Sequence, residues 1–123
     1  KIAERLSEQR PPHLPPLQLC LQVNISGEVS KSGLAVDEVL EVARAVAALP
    51  RVRLRGLMAI PEPTVDPLAQ RAPHARLRDL LSALRRDGIE LDTLSMGMTA
   101  DLEAAIAEGA TIVRVGTAIF GAR

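Results

Sequence analysis

The stretch "LSMGMTADLEAAIAEGATIVRVGTAIFGAR", residues 94–123, contains the strand–helix–strand pattern that decides the fold. A predicted strand over 89–95 runs into a predicted helix over 99–109, which ends at Gly109, a residue suited to a left-handed C-cap. A second predicted strand follows over 111–116, with Arg114 inside its apolar run. Strands that alternate with helices predict a parallel sheet with right-handed crossovers.

The same alternation extends back through the rest of the chain. Helices are predicted over 2–10, 35–50 and 68–88, and strands over 17–25 and 52–60. Pro73 either kinks the third helix or marks its true start. The strands recur about every 30 residues, one strand–helix unit per period, which fits two architectures. One is an open, doubly wound four-stranded sheet, and the other is half of an eight-stranded β/α barrel.

Composition excludes several classes of function. The 123 residues carry no net charge and only one aromatic residue, a phenylalanine, so neither nucleic acid nor an anionic membrane is an expected partner. No apolar run approaches the roughly 18 residues of a membrane span. Cys20 is the single cysteine; it rules out an internal disulfide, favours a reducing, cytoplasmic setting and is expected to be a small core residue.

The two ends of the pattern predict a partial domain. No strand precedes the first helix, no helix follows the last strand, and the first residue is Lys1 rather than Met. We therefore expect residues 1–123 to form one incomplete domain. Its open sheet edges are expected to associate with other chains, because an unpaired strand edge can template pairing.

Two turns that follow consecutive strands are candidates for anion binding. In parallel α/β folds, ligands sit at the carboxyl ends of the strands. The "SMGMT" segment (95–99) enters a helix at Thr99, a candidate N-cap residue, and helix N-termini hold phosphates. "GTAIFG" (116–121) has the same setting, where Gly116 allows close backbone approach and Thr117 adds an amide and a hydroxyl.

Arg114 lies two residues before Gly116, which places both on one face of the predicted strand. A buried guanidinium needs partners. Arg114 therefore either pairs with a nearby acid such as Asp92, lies on the outer surface, or donates to a ligand at the anion site. His74 lies in a helix that looks polar and has no evident catalytic partner, and Lys31 lies in a polar loop.

Three segments carry a family resemblance: "LQVNISGEVSKSG" (21–33), "LRGLMAIP" (54–61) and the 94–123 stretch. Together they resemble the pyridoxal phosphate homeostasis proteins, relatives of the barrel domain of alanine racemase. The resemblance covers nearly the whole chain and is weakest around residues 64–78, where Pro73 and His74 look atypical. It implies a fold of class α/β, in which the chain is the C-terminal half, about four βα units, of a TIM-type (β/α)8 barrel with parallel strands.

The resemblance also implies a set of cofactor-binding residues for pyridoxal phosphate. By position, Arg114 would face the pyridine nitrogen, while Thr99, Gly116 and Thr117 would hold the phosphate. Ser95 would lie near Arg114 or the phosphate, and Met98 would add a backbone contact. Met58 and Asn24 would flank the ring. The family's aldimine lysine would lie upstream of this chain, and Lys31 does not match it.

The implied function is intracellular carriage and buffering of pyridoxal phosphate without catalysis, in the cytoplasm, with apo-enzymes that use this cofactor as possible recipients. Two alternatives stay open. One is a racemase-like enzyme, which is disfavoured because the chain has no tyrosine to match the racemase's catalytic one. The other is a phosphate-binding half-barrel without aldimine chemistry.

Overall fold

A computed structural model describes residues 2–26, 33–116 and 119. Within these residues, four strands alternate with four helices, as predicted, and short 3-10 turns at Val36–Glu38 and Thr99–Asp101 lead into two of the helices. In chain order the elements are α1 (Ile2–Gln9), β1 (Leu17–Gln22), α2 (Val39–Ala47), β2 (Val52–Met58), α3 (Pro67–Arg86), β3 (Thr93–Met98), α4 (Leu102–Ala107) and β4 (Ile112–Arg114).

The four strands form one parallel sheet in the sequential order β1-β2-β3-β4. A doubly wound sheet reverses its strand order at a switch point, and the described sheet has no such reversal. The doubly wound alternative is therefore wrong. Since right-handed crossovers that all proceed in one direction place their helices on one side, the helices cover a single face of the sheet.

That covered face contains the hydrophobic core. Leu57 of β2 and Met96 of β3 are fully buried beneath the fully buried side chains of Val39 from α2 and Leu77 from α3. Ala105 of α4 belongs to the same cluster. Each fully buried large side chain stabilises the fold by about 1.5–3 kcal/mol before its entropy cost is counted.

The opposite face of the sheet is polar and partly exposed. Cys20 lies there and is exposed, so its predicted place in the core is wrong. Strand alternation explains the error, because the neighbours Leu19 and Leu21 pack against the core and turn Cys20 the other way. A cleft of about 240 Å³ on this face is lined by Cys20 together with Arg55, Thr93 and others.

The bounds of all eight described elements differ by one to four residues from the sequence prediction, and those of α3 and β3 have an evident physical cause. The helix α3 begins at Pro67 after an N-cap by Asp66 and continues through Pro73, so Pro73 does not mark its start. The strand β3 begins at Thr93 rather than at 89. Pairing with β2 starts only where the Asp92 amide donates to the Arg55 carbonyl at 2.9 Å, so the preceding residues form a connection.

Gly56 marks an irregular point where β2 lies tightly against β3. The register between β1 and β2 shifts after Leu19, so that Cys20 pairs with Gly56 rather than with Arg55. A Cβ atom added at Gly56 would lie 1.7 Å from the carbonyl oxygen of Thr93. The backbone of β3 therefore excludes any side chain at this position.

We expect Gly56→Ala to lower the free energy of unfolding by about 1–3 kcal/mol, because one strand must shift to admit the methyl group. Denaturant unfolding measures the loss. Gly116→Ala is the matched control, since a Cβ there meets no atom within 4 Å. Equal stability of the two variants would contradict the tight contact.

Candidate functional site

The carboxyl ends of β2, β3 and β4 bring together three of the predicted site residues. Arg114 on β4 is the register partner of Met98 on β3. Its Nη2 donates to the backbone oxygen of Ala59, just past β2, at 3.1 Å. The Ala59 amide in turn donates to the carbonyl oxygen of Ser95 at 3.2 Å. Ser95, Met98 and Arg114 therefore lie within one edge of the sheet.

Arg114 faces away from the helices. A Cβ at Gly97 would lie 2.5 Å from the Cβ of Ala105 in α4 and 3.3 Å from Cγ1 of Val113, so Val113 points to the helical side. Because successive strand residues point to opposite faces, Arg114 points to the uncovered face. Gly97 has a φ of 102° and interrupts the alternation of β3, in which Met96 is buried in the core and Met98 is exposed. Met58, the register partner of Ser95, is another member of this edge.

Arg114 is a half-buried cation without a carboxylate partner among the described residues. The predicted alternative partner, Asp92, is instead bound by Arg55 through two hydrogen bonds of 2.9 and 2.7 Å. A pairing of Arg114 with Asp92 is therefore wrong. A guanidinium carries five N–H donors, and within the described part of the chain Arg114 uses one nitrogen, Nη2, for Ala59.

The turn between β3 and α4 is held by Asp101. Its Oδ1 accepts the amide of Met98 at 2.7 Å, and this bond closes the 3-10 turn Thr99–Asp101. Thr99 is the first residue of that turn and Met98 occupies the N-cap position, so the prediction of Thr99 as N-cap is wrong. An acid three residues after a cap position is the capping-box spacing, which was a readable signal for Asp101.

His74 is the functional candidate that the sequence reasoning missed. Its side chain is 0% exposed rather than on a polar helix face, and its Nε2 lies 2.8 Å from Oδ2 of Asp101. The signal was present in the helical spacing. His74 falls on one stripe with Leu77, Leu81 and Leu84, all of them buried, which assigns it to the core-facing side of α3.

The second predicted turn is only partly described. Gly116 lies in a bend after β4, and its carbonyl oxygen accepts the amide of Ile119 at 3.1 Å. Because β4 ends at Arg114, strand alternation does not extend to Gly116, and the predicted shared face does not apply. Thr117 and Lys31 lie outside the described residues.

Larger clefts lie at both ends of the sheet. Two, of about 400 and 470 Å³, open at the amino ends of the strands around Arg53 and Ile89, away from the predicted site. A third, of about 520 Å³, lies beyond the carboxyl end of β2 and is lined by Glu62, Thr64 and Arg76 among others. Within residues 2–26, 33–116 and 119, no cluster of potential metal ligands is found. In the same residues no helix combines the length and the apolar character that a bilayer crossing requires.

All 123 residues match the family described as alanine racemase, N-terminal domain. The chain belongs to this family. It is 66% identical over 123 residues to the pyridoxal phosphate homeostasis protein of Pseudomonas aeruginosa, and 53% identical to the protein of that name from Escherichia coli K12. These matches cover 100% of this chain, 52% of the Pseudomonas protein and 53% of the Escherichia coli protein. The chain thus spans about half the length of these curated relatives.

The fold of this chain is also similar to that of a solved structure. PipY of Synechococcus elongatus, determined with pyridoxal phosphate bound, superposes with a TM-score of 0.84 at 32% identity. The match covers 98% of this chain and 56% of PipY.

These matches confirm the predicted family resemblance, and with the sheet they confirm a parallel α/β fold. They do not confirm the C-terminal half of a barrel, because the matched family is named for an N-terminal domain. A strand–helix repeat has the same pattern anywhere in a barrel. The prediction of the C-terminal half came from the family resemblance and is not confirmed by these matches.

The Arg55–Asp92 ion pair on the uncovered face generates a pH prediction. Hydrogen bonds from Arg55, with one from the Thr93 hydroxyl, lower the pKa of Asp92 to about 2. A carboxyl whose pKa is depressed by folding stabilises the native state above its unfolded pKa of about 4, and that contribution is lost as the pH falls toward 2. Arg55→Met should return the pKa of Asp92 toward its ordinary value, as measured by carboxyl carbon NMR. An unchanged titration would contradict the assignment.

Proposed function

We propose that the full-length protein carrying this chain binds and buffers pyridoxal phosphate without catalysing turnover. In this proposal the chain supplies contacts to the ring nitrogen and to the phosphate of the cofactor. The proposal is supported by the family membership, by the names of the two curated relatives and by the PipY structure with this cofactor. The residues assigned to binding are Ser95, Met98, Thr99, Arg114, Gly116 and Thr117.

The same proposal includes half of an eight-stranded barrel as the architecture. Sequential strand order with helices on one side is the arrangement of a β/α barrel, in which the other face of the sheet lines the interior. The uncovered face here carries Gln18, Cys20 and Arg55, and the chain spans about half the length of the curated relatives. A second set of strands would cover this face.

The functional proposal rests on the surroundings of the Arg114 side chain. Its guanidinium lies at the carboxyl edge of the sheet, half-buried, held in place by the Ala59 carbonyl and without a carboxylate partner in the described part of the chain. A cation in that setting needs an acceptor. An aromatic ring nitrogen or a phosphate oxygen supplies one, so pyridoxal phosphate fits the chemistry of this edge.

The proposed absence of turnover depends on the cation beside the ring nitrogen being a guanidinium. A guanidinium only donates hydrogen bonds, so Arg114 beside the ring nitrogen would keep that nitrogen unprotonated. The cofactor supplies an aldehyde for reversible attachment to amines and a ring that acts as an electron sink. An unprotonated ring is a weaker sink, which suits storage and delivery, with cytoplasmic apo-enzymes as the proposed recipients.

The phosphate would be held between two turns that follow neighbouring strands. Ser95 and Met98 lie in β3, and Thr99 is the first residue of the turn that follows this strand. The turn after β4 includes Gly116. Parallel strands β3 and β4 are adjacent, so both turns open at the same edge. Phosphate sites of β/α barrels commonly use two such loops.

We expect Arg114→Met in the full-length protein to weaken pyridoxal phosphate binding about 10- to 100-fold, the value of a lost hydrogen bond from a charged group. Arg114→Lys should recover only part of the affinity, because an ammonium lacks the planar fork. Absorbance titration of the cofactor measures both. The control is Arg44→Met, which removes an exposed guanidinium paired with Asp87 on a remote helix.

Equal affinity of the Arg114→Met variant and the wild type would overturn the assignment of Arg114. Turnover of amino acids by the full-length protein with the cofactor added would instead favour the racemase-like alternative. Binding of inorganic phosphate without the aldehyde-dependent absorbance change would favour a phosphate site alone.

The half-barrel architecture predicts the behaviour of residues 1–123 expressed alone. With one sheet face uncovered and its outer strands unpaired, this segment should self-associate or unfold without a cooperative transition, because exposed strand edges promote pairing with other chains. Analytical ultracentrifugation and thermal unfolding measure this. A monomer that unfolds cooperatively would refute the half-barrel.

A further inference from the structure

We propose that His74 is a positioning residue for the turn between β3 and α4, which it holds through Asp101. The inference rests on the proposed function, in which that turn contributes to phosphate binding. The inference is supported by two hydrogen bonds that share the carboxylate of Asp101. Nε2 of His74 lies 2.8 Å from one oxygen of Asp101, whose other oxygen accepts the Met98 amide at 2.7 Å.

These two hydrogen bonds connect the core to the turn. His74 is 0% exposed and belongs to the 20-residue helix α3, whose neighbouring positions Leu77 and Leu84 are buried in the core. A side chain packed at this density has few accessible rotamers. The position of Asp101, and with it the backbone of the turn, is therefore set by α3 rather than by α4, which has only six residues.

The bonding pattern also defines the tautomer of His74. Nε2 faces the carboxylate of Asp101, and since an ionised carboxylate can only accept a hydrogen bond, Nε2 carries the donated proton. Nδ1 is buried and makes no hydrogen bond to any described residue. A proton on Nδ1 would be a buried donor without a partner, which costs more than a lone pair left unmatched in apolar surroundings. The geometry thus places the donated proton on Nε2.

The consequence for an anion follows from the charge of Asp101. A carboxylate beside a phosphate site repels the phosphate. Here both oxygens of Asp101 are engaged, one by His74 and one by the Met98 amide, and the carboxylate is only partly exposed. Removal of the His74 donor would free one oxygen and loosen the turn, so the loss should fall on phosphate affinity rather than on ring affinity.

Three variants separate this role from simple core filling. His74→Gln places an amide nitrogen near the former Nε2 and can still donate to Asp101. His74→Asn has a shorter side chain that places its amide near the former Nδ1 and cannot reach the carboxylate. His74→Phe fills the volume without any donor. If the residue only fills space, Phe is the best replacement; if it positions Asp101, Gln is.

The first measurement uses the ligand-free full-length protein and does not depend on any cofactor. Hydrogen exchange of the Met98 amide should be faster in the Asn and Phe variants and close to wild type in the Gln variant. Long-range nitrogen NMR of the wild type should show a protonated Nε2 and an unprotonated Nδ1 for His74. Met98 exchange that is the same in all three variants would overturn the positioning role.

The second measurement compares pyridoxal phosphate with pyridoxal, which lacks the phosphate. The Asn and Phe variants should bind pyridoxal phosphate about tenfold more weakly than wild type, the cost of one charge-assisted hydrogen bond. Their affinity for pyridoxal should stay within about twofold of wild type, a difference too small to reflect a lost hydrogen bond. The Gln variant should match wild type for both ligands.

The outcomes distinguish this inference from the proposed function. Wild-type affinity of the Asn and Phe variants for pyridoxal phosphate overturns the link between His74 and the phosphate turn, while cofactor binding stands. An equal loss for both ligands also overturns it, because the effect is then not specific to the phosphate. A wild-type protein that binds neither ligand overturns the proposed function, and the exchange of the Met98 amide still decides whether His74 positions the turn.

Discussion

The sheet of this protein buries one face against its helices and leaves the other uncovered. The asymmetry follows from the handedness of the crossovers, which places every connecting helix on the same side once the strands follow in sequential order. Leu57, Leu77 and Met96 form the core on one side, while Arg55 and Cys20 lie on the other. The candidate site lies where the uncovered face meets the carboxyl edge, so its position is a consequence of this constraint.

Polar contacts at that edge are built from backbone and from side chains of distant elements. Arg114 reaches across to the carbonyl of Ala59, and Asp101 ties the start of its turn to a histidine 27 residues earlier. One turn earlier on α3, Arg71 pairs with Glu108 at 2.7 Å and fixes α4 against the same helix. Hydrogen bonding by Arg71 lowers the pKa of Glu108, so this tie stays ionised at neutral pH. The turn after β3 is therefore supported from both ends of α4.

Several features were accessible from residue order. The alternating elements, the parallel sheet and the location of the "SMGMT" turn at a strand end all follow from local periodicity, which reports backbone geometry directly. The family resemblance came from contiguous motifs and was confirmed. The burial of His74 is not evident from the overall polarity of its helix. It follows from the helical spacing of His74, Leu77 and Leu84, which can be recognised in the sequence.

The sequence by itself determined the number, type and order of the elements, because helix and strand periods and turn residues act over a few positions. Tertiary structure alone decided which acid pairs with which cation and what Asp101 bonds. These depend on register and on contacts between residues far apart in the chain. A bulge of one residue, such as the one at Gly56, changes which side chains meet, and no local pattern encodes that change.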